Sequence, residues 1–262
     1  MGSTIYYKTE SDIEKIRESS LIVSKTLAEV GRSIKPGITT ADLDKIAESY
    51  ILSQGAKPAF KGYKGFPATL CVSVNAQVVH GIPGSYALKE GDIVSVDCGV
   101  VKDGYYGDSA YTFRVGKISE ELANLLKVTK ESLYKGINEA KEGNRMGDIS
   151  SAIGGHAEEH NYGVVRELVG HGIGRHLHEA PDVPNYGKKG NGIKLQRGLV
   201  IAIEPMINMG KKEVKQENDG WTITAKDGKP SAHFEHTVAI GSGKAELLTS
   251  FEEIEKVEAA QF

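Results

Sequence analysis

The spacing of hydrophobic positions alternates along the chain between helical and strand-like patterns, and this predicts the order of its elements. A capping-box pattern at Ser11–Glu14 opens the first helix, which is expected to end at Gly31 or at Pro36-Gly37. Further helices are predicted over residues 40–55, 119–140 and 148–160. Strand-rich segments are predicted over residues 69–115, 164–169, 198–207, 221–225 and 233–240. The chain is therefore expected to be of mixed α/β (α+β) class.

Two helices followed by a strand-rich segment occur twice in this order, and short motifs recur with it. Gly37 precedes Asp42 by the same five steps by which Gly143 precedes Asp148. The triplet at residues 80–82 matches that at residues 171–173, and Gly91–Asp97 matches Gly198–Glu204 in length and chemistry. Coincidence is the alternative, since glycine and aspartate are common. The ordered matches favour a degenerate duplication: one domain over residues 1–262, with halves at about 10–117 and 118–250 and the site between them.

Composition indicates an ordinary globular protein and excludes several classes of partner. Hydrophobic residues make up 39% of the 262 residues and charged residues 26%, which is enough to build a core. The net charge of −3 favours neither nucleic acid nor an anionic membrane, and no apolar run is long enough for a membrane span. Met1–Tyr6 lacks the apolar segment of a signal peptide. Two cysteines make no disulfide framework, so we expect a cytoplasmic protein.

Acidic residues interrupt several of the most apolar segments. Asp97, Glu204 and Glu235 each follow or interrupt a run of strand-forming residues, and Asp108 and His171 lie in similar surroundings. A buried carboxylate is costly unless it is paired or bound to a cation. One such residue could be a salt-bridged acid of the core, but five candidates together predict a shared cation site.

Asp97 and Asp108 flank a turn signal and are expected to lie close together. A hairpin centred between Lys102 and Asp103 would place the two carboxylates directly opposite each other. Carboxylates at that distance repel unless one is protonated or a cation lies between them. The alternative is an unrelated loop aspartate and a capping aspartate.

Three histidines stand in glycine-rich turns near these acids. His171 lies between two glycines, His178 follows seven residues later, and His80 precedes Gly81. A lone histidine is more often structural, but histidines beside buried acids indicate a site. One histidine with four carboxylates suits Mn²⁺, Fe²⁺ or Co²⁺ better than thiolate-rich zinc sites do. Bridging carboxylates would allow two ions.

Five segments together resemble the type I methionine aminopeptidases over nearly the whole chain: CVSVNAQVVHGIPG, VDCGVVKDGYYGDSAYTFRVG, VGHGIGRHLHEAP, IAIEPMI and HFEHTVAI. The resemblance implies the pseudo-symmetric pita-bread fold, an antiparallel sheet flanked by helices. It also implies two divalent ions (Co²⁺, Mn²⁺, Fe²⁺ or Zn²⁺). Asp108 and Glu235 would bridge them, Asp97 would bind one, and His171 with Glu204 the other.

The same resemblance implies removal of the initiator methionine from nascent polypeptides when the next residue is small. Glu204 would move the proton of the attacking water, His178 would contact the scissile carbonyl and His80 the peptide nitrogen. The pocket for the methionine side chain would include Tyr63, Phe66, Cys71, Leu177, Met206 and Trp221. Ala59, Phe66 and Leu177 depart from residues found in some relatives, which leaves the pocket's fine shape open. Docking on the ribosome is left open too, and a monomer is the default expectation.

Two other classes of protein with this fold are alternatives to this interpretation. X-Pro peptidases share the fold but usually carry an extra N-terminal domain, for which this chain has no room. A non-catalytic pita-bread binding module, or a metal-free hydrolase resembling creatinase, would have lost ligands that are all present here.

Overall fold

A computed structural model describes residues 4–261 of the chain. Residues 1–3, which belong to the segment expected to lack a signal peptide, lie outside the described range. Five helices are present among the described residues, and the four that the sequence pattern predicted are confirmed. Their bounds are α1 Glu10–Ser33, α2 Thr40–Ser53, α3 Glu120–Glu139, α4 Met146–Glu159 and the unpredicted α5 Glu252–Gln261. None of these helices combines the length and the apolar character that a membrane crossing requires.

The N-cap of the first helix is Thr9, two residues before Ser11, where the predicted capping box begins. The Thr9 hydroxyl accepts from the Asp12 amide at 3.2 Å, and the Asp12 carboxylate accepts from the Thr9 amide at 3.0 Å. The prediction at Ser11–Glu14 was wrong because both windows carry the same pattern, and Thr9 is the one with extended backbone. The helix continues through Gly31, where a Cβ atom would lie 2.8 Å from the Phe113 ring, so glycine here permits close packing.

Fifteen strands occur in the described part of the chain, and every pairing between them is antiparallel. Their bounds are β1 Lys57–Pro58, β2 Leu70–Val74, β3 Gln77–Val79, β4 Ile93–Lys102, β5 Tyr105–Arg114, β6 Gly163–Val164, β7 Gly170–Gly172, β8 Glu179–Val183, β9 Val200–Ile203, β10 Met206–Asn208, β11 Val214–Gln216, β12 Ile223–Ala225, β13 Ser231–His233, β14 His236–Ala239 and β15 Glu246–Leu247. The strand predicted over residues 164–169 is confirmed only at its start. The Arg166 amide donates to the Glu167 carboxylate instead of to a neighbouring strand.

Each helix pair packs on strands of the adjoining segment. In the first half, α1 lies on the β4–β5 hairpin and contacts α2. In the second, α3 and α4 pack together, and α3 contacts β9, β10 and β13. The element order agrees with the predicted alternation, and the duplication behind it stays a prediction.

The two halves meet where β5 lies beside β13 and β14. The Ser109 hydroxyl donates to the Glu235 carbonyl at 2.6 Å, and the Thr237 hydroxyl donates to the Asp108 carbonyl at 2.8 Å. The Glu235 amide donates to the Ala110 carbonyl at 2.9 Å. These bonds hold Asp108 and Glu235, which belong to different halves, in a fixed relation.

The β4–β5 hairpin has a different register from the predicted one. Asp97 pairs with Ala110, and Asp108 pairs with Gly99. The turn is centred on Asp103-Gly104, both with positive φ (51° and 78°), because a two-residue turn of this kind matches the twist of the strands. The predicted centre was thus wrong by one residue. Asp97 and Asp108 are diagonal neighbours, which still share one face of the sheet.

Candidate active site

A cavity of about 170 Å³ lies at the junction of the two halves, and all five predicted metal ligands line it. Asp97 comes from β4, Asp108 from β5 and His171 from β7. Glu204 follows the end of β9, and Glu235 lies between β13 and β14. Five elements distant in sequence therefore deliver their polar side chains to one place.

Ligand atoms within this cluster are close enough to share a cation. One atom each from Asp108, His171 and Glu235 lies within 4.8 Å of the other two. His171 Nε2 is 3.6 Å from Glu204 Oε1 and 3.9 Å from Asp108 Oδ2. Asp97 is near enough to Asp108 for its charge to raise the pKa of Asp108.

The backbone around His171 determines which ring nitrogen faces the acids. Nδ1 lies 2.9 Å from the Gly172 carbonyl, to which it donates, so Nε2 is the ring nitrogen that points at the carboxylates. A Cβ atom on Gly170 would come within 2.3 Å of the Ala202 carbonyl oxygen, and one on Gly172 equally close to that of Ala180. Glycine on both sides therefore lets neighbouring strands approach and fixes the ring.

The donor set fits a hard divalent cation. Asp97 Oδ1, Asp108 Oδ1 and Glu235 Oε1 are buried and have no hydrogen-bond partner among the described residues. Buried polar atoms are rarely left unpaired, and carboxylates least of all. Oxygen-rich ligands with one imidazole are those that Mn²⁺, Fe²⁺ and similar ions prefer.

Burial also raises the pKa of these acids in the metal-free protein. Burial raises the pKa of Asp97 and of Glu204 to about 7. It raises the pKa of Asp108 well above its ordinary value, with help from the nearby charge of Asp97, and it does the same for Glu235 beside Asp108. A bound cation would reverse this tendency because it favours the ionised carboxylates.

Two further predicted histidines stand on the wall of the same cavity. His178 Nδ1 lies 3.0 Å from the Tyr63 hydroxyl, and the His178 ring centroid is 4.2 Å from that of His171. Burial and the neighbouring His171 lower the pKa of His178 to about 3. Burial lowers the pKa of His80 to about 4, and His80 has a left-handed backbone (φ 58°) at the end of β3. Both imidazoles are therefore neutral near pH 7.

Most residues predicted for the methionine pocket line this cavity. Five of them do so: Tyr63, Phe66, Cys71, Leu177 and Trp221. The Phe66 and Trp221 rings meet edge to face at 5.1 Å. Met206 lies instead on an adjoining cleft of about 460 Å³, which His80, His178 and Glu204 also line. The Met206 side chain packs with Val79 and Val165, and its part in the methionine pocket stays a prediction.

Sequence reasoning missed His233 at the floor of the site. Its Nε2 lies 3.6 Å from Glu204 Oε2, and neither ring nitrogen has a hydrogen-bond partner among the described residues. Burial lowers its pKa, while Asp97 acts in the opposite direction. Its position two residues before Glu235 was the available signal, since alternate residues of an extended segment share a face. Phe60, Lys64 and Val79 also line the cavity and were not predicted.

Comparison with known proteins identifies the family of the chain. Residues 14–242 match metallopeptidase family M24. The chain belongs to that family. Its M24 fold agrees with the mixed α/β architecture, and the pita-bread fold implied by the sequence resemblance is confirmed.

Within family M24 the chain is similar to methionine aminopeptidases, as its sequence motifs predicted. It is 53% identical to a methionine aminopeptidase of Clostridium perfringens over 94% of this chain and 98% of that protein. A crystal structure of methionine aminopeptidase from Thermotoga maritima superposes with a TM-score of 0.93 at 46% identity, covering 94% of this chain and all of that one. A prolidase from Pyrococcus furiosus shares the fold alone, with a TM-score of 0.76, 24% identity and coverage of 93% and 65%.

Proposed function

We propose that this M24 metallopeptidase removes the N-terminal methionine from new polypeptides whose second residue is small. The observation that supports the proposal is that four carboxylates and a histidine able to bind metal line one cavity together with apolar side chains and the thiol of Cys71. The 53% identity to a methionine aminopeptidase over almost its whole length supports the same activity. The substrate is made by translation, so the proposed function requires a cytoplasmic enzyme.

Two divalent ions are proposed to occupy the cluster. Asp97, Asp108, His171, Glu204 and Glu235 would hold them. The ions would lower the pKa of water toward neutrality and so supply the nucleophile for hydrolysis. Co²⁺, Mn²⁺, Fe²⁺ and Zn²⁺ all suit these ligands.

Glu204 is assigned the transfer of a proton from the attacking water to the leaving amine. Its carboxylate stands between His171 and His233, at 3.6 Å from a ring nitrogen of each, so its two oxygens are held in defined directions. It lines both the enclosed cavity and the adjoining cleft, which is where a leaving peptide would pass. A proton can be taken from the attacking water only by an ionised carboxylate, and a bound cation would favour that form of Glu204.

His178 and His80 are assigned to the substrate's peptide groups. If the Tyr63 hydroxyl donates to Nδ1 of the neutral His178, the ring proton is on Nε2, which can donate to the scissile carbonyl as negative charge develops. His80 lines both the cavity and the cleft and would contact the nitrogen of the second residue.

The enclosed cavity accounts for the choice of methionine. Phe66 and Trp221 form an apolar wall, and the thiol of Cys71 lies beside them. The thioether of methionine is flexible and packs favourably against aromatic rings. Burial raises the pKa of the Cys71 thiol, so it remains an uncharged part of this wall.

The decisive experiment measures release of the first residue from Met-Ala-Ser and Ala-Pro-Ser peptides. Metal-stripped protein is assayed first, and then again after addition of Co²⁺ or Mn²⁺. We expect metal-dependent cleavage of Met-Ala-Ser alone. Cleavage of Ala-Pro-Ser alone would assign an X-Pro peptidase, and cleavage of neither peptide would favour a binding module.

A further inference from the structure

An extended segment before the first helix, residues 5–9, crosses the loop that carries His178; we call it the N-terminal strap. Ile5 pairs with Ala180 as an isolated parallel bridge. The Lys8 amide donates to the Gly198 carbonyl at 2.6 Å, and Thr9 then caps α1. The strap is thus fixed at both ends, with one side against the catalytic loop.

A buried ion pair joins the strap to the residue that follows His178. The Lys8 ammonium donates to the Glu179 carboxylate, and the two side chains are only 6% and 3% exposed. Lys8 Nζ also donates to the Tyr6 carbonyl at 2.9 Å, and Glu179 Oε1 accepts from the His176 amide at 3.1 Å. Two nearby ion pairs, Arg175 with Asp12 and Arg197 with Glu10, are more exposed than this one.

Gly174 provides the space that this ion pair occupies. A Cβ atom at that position would lie 2.4 Å from Lys8 Cε and 2.9 Å from Glu179 Oε1. The Gly174 carbonyl accepts from the Tyr106 amide at 2.8 Å. The loop over residues 174–179 is therefore anchored to β5 at its start and to the strap at its end.

His178 lies between these two anchors and is itself exposed. Its ring is held by Tyr63, and the next residue, Glu179, is the first residue of β8, where it pairs with Gly172. Glu179 lines the cleft beside the active site and also a second cavity of about 270 Å³ on the side of the strap. Without Lys8, the Glu179 carboxylate would keep the His176 amide as a donor but would lose its buried cation.

We propose that Lys8, acting through Glu179, is a positioning residue for His178. The proposal rests on the proposed function, in which His178 donates to the scissile carbonyl. A displacement of about 1 Å in a group that contacts the transition state can cost about 10²-fold in rate, so a fixed loop end is catalytically important. Neither Lys8 nor Glu179 has to touch the substrate for this effect.

A double-mutant cycle on the metal-loaded enzyme tests the proposal. Lys8→Met, His178→Ala and the double variant are compared with the parent for kcat and KM on Met-Ala-Ser and for Mn²⁺ affinity. We expect Lys8→Met to lower kcat about tenfold, with Mn²⁺ affinity unchanged, and to have no further effect once His178 is alanine. If Lys8→Met does not fold, Glu179→Gln takes its place in the same cycle.

Arg197→Met is the matched control. Arg197 pairs with Glu10 at 2.6 Å, joining the start of α1 to the same neighbourhood, but both side chains are exposed. We expect kcat to be unchanged in this variant. An equal loss from Lys8→Met in both backgrounds would overturn the positioning role while leaving the proposed function intact. Full turnover in His178→Ala alone would overturn the role of His178 and the positioning proposal with it.

Discussion

The hydroxyl of Tyr63 lies 3.0 Å from Nδ1 of His178, and the two rings stack with their planes 19° apart. Burial keeps His178 neutral at pH 7 by lowering its pKa to about 3, so its ring carries a single proton. If the hydroxyl donates to Nδ1, that proton is on Nε2. Tyr63 therefore determines the tautomer that the proposed contact with the scissile carbonyl requires.

Replacing Tyr63 with phenylalanine should lower kcat on Met-Ala-Ser by roughly tenfold. The stacked ring remains, but the loss of one hydrogen bond frees the tautomer of His178. Steady-state kinetics with saturating Mn²⁺ measures the effect. Tyr134→Phe is the control. It removes a hydroxyl that lies 3.3 Å from His236 Nε2, and neither of these residues lines the cavity. Equal kcat values for Tyr63→Phe and the parent would refute the tautomer argument.

Replacing His178 with alanine should lower turnover by roughly 10²-fold or more while metal still binds. The reason is that its proposed hydrogen bond strengthens as charge develops on the substrate oxygen, and such donors contribute mainly to kcat. Turnover is measured beside Mn²⁺ titrations of the same preparation. Near-full turnover of Met-Ala-Ser would show that the assigned role is wrong.

Replacing Glu204 with glutamine should affect both turnover and metal affinity. Glu204 faces His171 and His233 at 3.6 Å from each and is proposed both to bind an ion and to move a proton. We expect a loss of about 10²–10⁴-fold or more in kcat, the range of general acid–base catalysis, together with weaker Mn²⁺ binding by calorimetry. Unaltered affinity combined with lost turnover would assign Glu204 the proton transfer alone.

The sequence pattern predicted the helices and the convergence of the acids better than it predicted registers. Strand periodicity identified the faces that Asp97 and Asp108 share, because alternation survives an error of one residue in the turn centre. The centre itself depended on which dipeptide adopts positive φ, and Asp103-Gly104 was the available one.

His233 and Lys8 were harder to predict than the acids, for a different reason. A single histidine in an apolar strand looks like a core residue, and only the fold brings it within 3.6 Å of Glu204. Lys8 looks like a solvated lysine, yet its partner Glu179 is 171 residues away in sequence. Pairing between residues so far apart produces no periodic pattern in the sequence. The glycines that make room for it can be seen in the sequence, but their role cannot be inferred without the fold.

Gly107→Ala should destabilise the protein and disturb the adjoining ligand Asp108. A Cβ atom at position 107 would lie 2.5 Å from the amide nitrogen of Ser20, which belongs to the backbone of α1 and cannot turn aside. Overpacking of this kind costs about 1–3 kcal/mol, and we expect a fall in Tm of roughly 3–10 °C with weaker Mn²⁺ binding.

Gly155→Ala is the control for this substitution. Gly155 lies within α4, and a Cβ atom there would meet nothing within 4 Å. Alanine is the better helix former, so the Tm should stay level or rise slightly. A similar fall in Tm in both variants would mean that the close approach of α1 to β5 is not the cause.

Asp97→Asn should stabilise the metal-free protein at alkaline pH and not at acidic pH. Burial raises the pKa of Asp97 from 3.8 to about 7, so its contribution to stability is complete below pH 3.8 and is lost as the pH rises through 7. Asparagine cannot ionise and avoids that loss. The gain should therefore grow from pH 4 to pH 8.

The measurement is the difference in free energy of unfolding between parent and Asp97→Asn, in EDTA, from pH 4 to pH 8. His80 and His178, whose pKa values are lowered, change stability in the opposite direction, but they do so in both proteins and largely cancel in the difference. Asp103→Asn, in the exposed β4–β5 turn, controls for the substitution itself. A difference that does not vary with pH would contradict the argument. Added Mn²⁺ should reverse the order at pH 8, because the ionised Asp97 then has a cation beside it and the asparagine does not.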